Sequence, residues 1–209
     1  MNRLISFEGI DGCGKTTQIK LLSEFLDREQ LNYVVLREPG NTAVSEKIRS
    51  ILLDKDNVIN NKSELLLFLS ARAQLTTEII EKEIDTKNFI ICDRFIDSTL
   101  AYQGYGRGVD LNIIKNLNSF ATNQIVPDIT FILDVSVSTS IDRLSNKDND
   151  RMENEGKDFL NKVRNAYIEI SKTDSRYKLI TCDNKNIKSI HQIIIDYIKK
   201  IYRKDSWNE

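Results

Sequence analysis

The sequence predicts an α/β protein with a parallel sheet covered by helices on both sides, and three observations carry that expectation. Apolar runs of strand length recur at Leu4 to Phe7, Tyr33 to Leu36, Phe89 to Cys92, Thr130 to Leu133 and Lys178 to Thr181. Most lack period-two alternation, as strands buried on both faces should. Longer stretches with apolar residues at spacings of three and four lie between them, and this alternation implies crossover connections in a parallel sheet. Third, the first run leads straight into Gly9-Ile10-Asp11-Gly12-Cys13-Gly14-Lys15-Thr16. That segment matches the phosphate-binding pattern G-x-x-x-x-G-K-S/T in the strand-to-helix context the pattern requires.

In this loop the glycines let successive backbone N–H groups turn toward an anion. Lys15 reaches the β and γ phosphates, and the Thr16 hydroxyl can sit on Mg²⁺ at a helix N-terminus whose dipole favours negative charge. Gly9 to Thr16, with Thr17 following, are therefore the expected nucleoside triphosphate contacts. Helical spacing continues over Thr16 to Arg28, Val44 to Leu53, Ser63 to Ile84, Asn112 to Ala121, Ser138 to Ser145, Phe159 to Ser171 and Ile187 to Tyr202. Ligands of such sheets bind beyond the carboxyl ends of the strands. Those ends carry Glu8 to Asp11, Arg37 to Pro39, Asp93-Arg94 and Asp134, a dense set of ionisable groups. Ser145 to Asp158 is polar, breaks the helical periodicity and reads as a mobile surface segment or a solvated loop.

Composition narrows the classes. The 209 residues suit one domain, with a small insertion at about 145–158. Thirty Lys and Arg against 31 Asp and Glu leave a net charge of −1, which offers no global attraction to nucleic acid or anionic membrane. No secretory signal or membrane-length apolar run is present, so the expectation is a soluble cytoplasmic protein. Cys13, Cys92 and Cys182 are widely spaced and His191 is the only histidine, which argues against a disulfide framework, a zinc site or a His-based nucleophilic mechanism. Chemistry must rest on Asp, Arg, Lys and a metal. Cys13 invites a nucleophile reading, but that position of the loop tolerates many residue types.

Three further segments follow the loop in order: Arg37-Glu38-Pro39-Gly40, Leu67-Phe68-Leu69-Ser70-Ala71-Arg72-Ala73-Gln74, and Asp93 to Gly104. Together with the loop they resemble the bacterial thymidylate kinases, over a span from Leu4 to the region of Phe159. The resemblance implies a P-loop NTPase of the nucleoside monophosphate kinase group, a five-stranded parallel sheet with a short lid, and transfer of the ATP γ-phosphoryl group to dTMP with Mg²⁺. It also implies a homodimer.

Residue by residue, the resemblance gives Lys15 as the resident cation, Thr16 as the direct metal ligand and Asp93 as the carboxylate that holds Mg²⁺ through water. By spacing alone, Asp93 could equally be a turn or helix cap. Arg94 and Arg49 are similar to the arginines that grip the acceptor phosphate, a task suited to the planar guanidinium. Asp11 positions the acceptor near its attacking oxygen. Phe68 and Arg72, four apart, share a helix face, where spacing alone would suggest core. The resemblance makes them the thymine stack and edge contact. Gln103 supplies an amide for the pyrimidine edge, Glu38, Pro39, Ser98 and Thr99 line the same pocket, and Tyr102 crowds the ribose 2′ position. The Glu38–Pro39 bond is expected to be cis.

Gly104, Gly106 and Gly108 fail as a dinucleotide fingerprint and read as a flexible turn after the pocket. Asn41 stands where the family usually has a second glycine. Eukaryotic relatives carry an arginine in the phosphate loop where this chain has Gly12, so the second catalytic cation is expected from the lid. Of Arg143, Lys147 and Arg151, the run Asp150-Arg151-Met152-Glu153 favours Arg151. Two other readings stay open: a kinase of the same fold whose acceptor is another nucleoside monophosphate or a deoxynucleoside, and a regulatory GTPase. The latter expects D-x-x-G and N-K-x-D, where this chain has Asp93-Arg94-Phe95-Ile96 and Asn146-Lys147-Asp148-Asn149.

Overall fold

In the computed structural model, which describes residues 3–86, 89–145, 151–152 and 155–202, the first apolar run forms β1 (Leu4–Glu8), buried along its whole length. It lies at the centre of a five-stranded parallel sheet with β2 (Tyr33–Arg37), β3 (Phe89–Asp93), β4 (Ile129–Asp134) and β5 (Tyr177–Thr181), in the order β2-β3-β1-β4-β5. The near-continuous apolar runs follow from this position. Ile5, Phe7, Phe89 and Ile91 face one core, while Leu4, Ile90 and Cys92 face another on the opposite side of the sheet. Each layer is closed by helices, as a parallel sheet requires.

The helices are α1 (Lys15–Arg28), α2 (Ala43–Leu53), α3 (Asn61–Leu75), α4 (Glu81–Asp85), α5 (Ile96–Thr99), α6 (Leu111–Ala121), α7 (Val137–Leu144), α8 (Lys157–Ile170) and α9 (Ile187–Ile201). α1 packs on α9, and α3 packs between α2 and α6. Side-chain caps mark several starts: Thr42, Asn60, Asp110, Ser136 and Asn186 each accept a backbone N–H of the following turn. The expected long helix Ser63 to Ile84 is divided by a π-helical turn over Thr76–Ile80.

One expectation is corrected. Gly104 and Gly106 do not form a flexible turn but lie in a π-helical segment, Leu100–Gly106, that continues α5. They serve packing: a Cβ at Gly104 would come within 2.5 Å of Leu111 and one at Gly106 within 2.7 Å of the Phe159 ring. Their closeness to Gly108, which does turn the chain with φ +77°, masked the helix in the sequence. Of the predicted lid, Arg151, Met152 and the stretch from Glu155 belong to the described residues, whereas Lys147, Asp150 and Glu153 lie outside them.

Candidate active site

The loop after β1 curls because its glycines allow it. Gly9, at φ +134°, leaves no room for a side chain, since a Cβ there would meet Leu133 O at 2.5 Å and Cys13 Sγ at 2.8 Å. α1 then begins behind Gly14 with no side chain capping its first turn, so its leading N–H groups and helix dipole are left for an anion. Lys15 Nζ reaches back to Gly9 O at 3.0 Å and Ile10 O at 3.1 Å, which fixes the ammonium over the loop. Thr16 Oγ1 lies 3.4 Å from Asp93 Oδ2, across from the end of β3. A groove of about 580 Å³ opens here, lined by Asp11 to Gln18 and by Asp93, Arg94 and Arg143 among others. Burial pushes the Cys13 thiol up, away from the thiolate a nucleophile needs.

β3 ends in the same place. Arg94 adopts φ +73°, an uncommon conformation for a residue with a side chain, with its N–H donating to Phe7 O. Its guanidinium donates to Asp11 Oδ1 at 2.7 Å and to Ser98 Oγ at 3.1 Å, and makes longer contacts of 3.4 Å with the hydroxyls of Tyr102 and Tyr167. Burial alone would raise the Asp11 carboxyl, but Arg94 and Lys15 outweigh it and hold it down at about 2. Asp11 is therefore a fixed anion, suited to orienting cations and substrate and unsuited to taking a proton near neutral pH.

Beside this cluster lies a second pocket, lined by Asp11, Glu38, Pro39, Arg49, Phe68, Arg72, Arg94, Ser98, Thr99, Tyr102, Gln103 and Met152. Every acceptor-pocket residue named from the sequence is on its wall. The Glu38–Pro39 bond is cis. Arg49 Nη1 donates to Pro39 O at 3.0 Å, which holds it at the rim. Asp11, Glu38, Arg49 and Arg94 line both pockets.

Two side chains expected to read a base edge are engaged with the protein. Arg72 is 2% exposed and places all five N–H groups: on Glu38 Oε2 at 2.8 and 2.6 Å, Thr99 Oγ1 at 2.6 Å, Asn118 Oδ1 at 2.6 Å and Phe95 O at 2.9 Å. It frames the pocket and joins α3 to α5 and α6. Gln103 Nε2 donates to Glu64 Oε1 at 2.9 Å. Glu38 Oε1 is buried with no partner among the described residues.

Arg151, expected to bring the second catalytic cation from the lid, is not among the residues lining the groove. Its Nη1 pairs with Glu64 Oε2 at 2.7 Å, its Nε donates to Leu52 O at 2.7 Å, and its backbone N–H donates to Leu53 O. Arg107 shares Glu64 and also pairs with Glu155. Burial works against the Glu64 charge, but Arg107, Gln103 and Arg151 outweigh it and keep the carboxyl below its ordinary range. The cation that does approach the loop from the α7 side is Arg143, whose Nη1 donates to Gly12 O at 2.9 Å.

The family model described as thymidylate kinase matches residues 7–194. The chain belongs to the thymidylate kinase family. A thymidylate kinase of Thermosipho africanus is 45% identical over 200 residues, covering 96% of this chain and 97% of its own. One of Thermoanaerobacter pseudethanolicus is 44% identical over 198 residues, with 95% and 98% covered. The crystal structure of thymidylate kinase from Ehrlichia chaffeensis superimposes with a TM-score of 0.78 at 38% identity, covering 95% of this chain and 98% of that one.

For this thymidylate kinase family member the sequence left Glu8, Glu64, Arg107 and Tyr167 unassigned. Glu8 carried a signal, being a carboxylate that closes an otherwise apolar buried strand. Tyr167 carried none beyond its place in an amphipathic helix.

The Asp11 environment yields a pH prediction. Its carboxyl should titrate near pH 2 by ¹³C NMR, so that Asp11 stays ionised at every pH above its ordinary range. Arg94→Ala removes the strongest of the attractions that hold the carboxyl down, and the midpoint should move upward; an unmoved midpoint would contradict the ion pair.

Proposed function

We propose that the chain transfers the γ-phosphoryl group of ATP to dTMP, producing dTDP for dTTP synthesis, with Mg²⁺ at Thr16 and Asp93. The observation that carries this reading is the wall shared by the two pockets, where Asp11, Arg49 and Arg94 stand between the phosphate-loop groove and the slot framed by Phe68 and Arg72. A donor in one and an acceptor in the other would meet across that wall. Phosphoryl transfer asks the protein mainly to align groups and offset charge, and the groups present here do that. Lys15 meets the donor phosphates, Arg94 and Arg49 fork onto the acceptor phosphate, and the Asp11 anion keeps Arg94 aimed.

Among the described residues no cluster of three or more His, Cys, Asp or Glu forms a metal cage. Mg²⁺ binds through one or two protein oxygens plus phosphates and water, and the Thr16 hydroxyl and Asp93 carboxylate, 3.4 Å apart, are the oxygens offered here. When bound it neutralises phosphate charge. Phe68 offers the base a stacking plane, Tyr102 offers bulk beside the sugar, and Glu38 backs the slot through its ion pair with Arg72. Thr99 and Ser98 complete that wall.

We read the chain as one kinase domain acting in the cytoplasm, in keeping with three buried free thiols. We also read it as a homodimer through the face of α2, α3 and α6, where Val44, Leu66, Ile113 and Phe120 are exposed. A sedimentation mass twice that of the chain checks this.

ADP release should be fastest with dTMP in a panel that also holds dUMP, UMP, CMP, AMP and GMP; equal or faster turnover of UMP or AMP would overturn the acceptor assignment. A second expectation follows from the placement of Arg143 at Gly12. Arg143→Ala should lower kcat by about a hundredfold or more with little change in dTMP KM, as for loss of a preorganised electrostatic contact. A large kcat drop confined to Arg151→Ala would instead mean that Arg151 leaves Glu64 during turnover.

A further inference from the structure

Glu8 is a fully buried carboxylate at the end of β1, and nothing in the transfer chemistry calls on it directly. Four donors converge on it. Phe95 N–H and Ser6 Oγ donate to Oε1 at 2.8 and 3.3 Å, and Ser98 Oγ and Tyr167 OH donate to Oε2 at 2.6 and 2.9 Å. The same two hydroxyl oxygens receive Arg94 Nη1 at 3.1 and 3.4 Å. Ser98 and Tyr167 also lie 2.9 Å from each other, and since each hydroxyl has a single hydrogen, one that donates to the other leaves only its neighbour donating to Oε2.

The hydrogen-bond direction is nevertheless fixed at both ends. A guanidinium can only donate, and the Glu8 carboxyl in its ionised form can only accept. Whichever hydroxyl donates to the other, the chain of hydrogens starts at Arg94 and terminates on Glu8. The Phe95 bond adds a second constraint, because it holds the backbone just beyond the left-handed Arg94 residue. Glu8 thus secures both the side chain and the backbone of the arginine on the shared wall.

We propose that Glu8 is a positioning residue for the acceptor phosphate, acting through the Ser98 and Tyr167 hydroxyls and the Phe95 amide to hold the Arg94 guanidinium in its working orientation. Resting on the kinase reading above, it adds a residue that touches neither nucleotide. Burial and the nearby Asp97 push its carboxyl up to about 7 even against the downward pull of Ser98, Arg94 and the Phe95 amide. Donors on both oxygens favour the ionised form.

Glu8→Gln is the direct test, since it keeps the shape and removes one acceptor end. With the amide oxygen on the hydroxyl pair the NH₂ meets the Phe95 N–H, and turned the other way it donates to the Ser98 and Tyr167 hydroxyls and reverses the chain of hydrogens that ends at Arg94. The variant should raise the dTMP KM by about tenfold or more and lower kcat, with ATP KM unchanged, as expected for a misaimed acceptor. Tyr167→Phe, which keeps the ring, should raise the dTMP KM less, and its effect should shrink in the Glu8→Gln background. Should Glu8→Gln fail to fold, Tyr167→Phe alone decides by the same split between the two KM values. Wild-type constants in both variants, with only a lower Tm, would overturn the proposal. The ¹⁵N resonances of the Arg94 guanidinium separate the two readings. They should be resolved in the wild type and averaged by rotation in Glu8→Gln, whichever nucleotide proves to be the acceptor. Resolved resonances in both would sink the positioning role even if dTMP is the substrate.

Discussion

The ion pair between Arg94 and Asp11, 2.7 Å long and only partly exposed, is the constraint on which the rest of the site depends. Asp11 sits in the loop that follows β1 and Arg94 in the turn that follows β3, and these strands are neighbours at the centre of the sheet. A buried guanidinium is costly unless its charge and its donors are matched. Asp11 supplies the charge, while Ser98, Tyr102 and Tyr167 supply oxygen acceptors. The phosphate loop, the start of α5, the π-helical segment and α8 are thereby tied to one side chain. The loop needs a glycine at Gly9 to reach Asp11, and the turn needs Arg94 in a left-handed conformation to reach back.

The same arrangement orders the chemistry in space. The groove and the slot share a wall of two arginines and two carboxylates, Arg49, Arg94, Asp11 and Glu38, so two phosphates of opposite origin would be drawn to a common line at the arginines while their nucleosides lie apart. Each pocket has its own supporting frame. Lys15 is held by loop carbonyls, and Arg72 spends every donor on Glu38, Thr99, Asn118 and Phe95. Arg72 and Glu38 thus give the slot a rigid back wall. Glu64 performs a comparable task at the mouth, gathering Gln103, Arg107 and Arg151 from three parts of the chain.

Much of this was legible in the chain. The strands were visible because a central parallel strand must be apolar on both faces, and the loop because its glycines, Lys15 and Thr16 stand at fixed spacing. The slot residues were found through family resemblance, since Phe68 and Arg72 alone look like an ordinary helix face. What escaped the sequence was the partner of each charge. Nothing local links Glu64 to Arg151, or Glu8 to Tyr167, because those pairs form only when distant segments fold together. The glycines at 104 and 106 misled for a related reason: a residue chosen for close packing against Leu111 and Phe159 is indistinguishable in sequence from one chosen for a turn.

The most direct test of the central claim keeps the charge at position 94 and removes the fork. In Arg94→Lys the cation remains, but one ammonium cannot face Asp11, Ser98 and a phosphate in the fixed plane that a guanidinium provides. Steady-state kinetics with dTMP should show kcat/KM reduced by about a hundredfold or more, with ATP KM little altered. Near wild-type kcat/KM for dTMP in Arg94→Lys would contradict the account, since charge alone would then suffice at the shared wall.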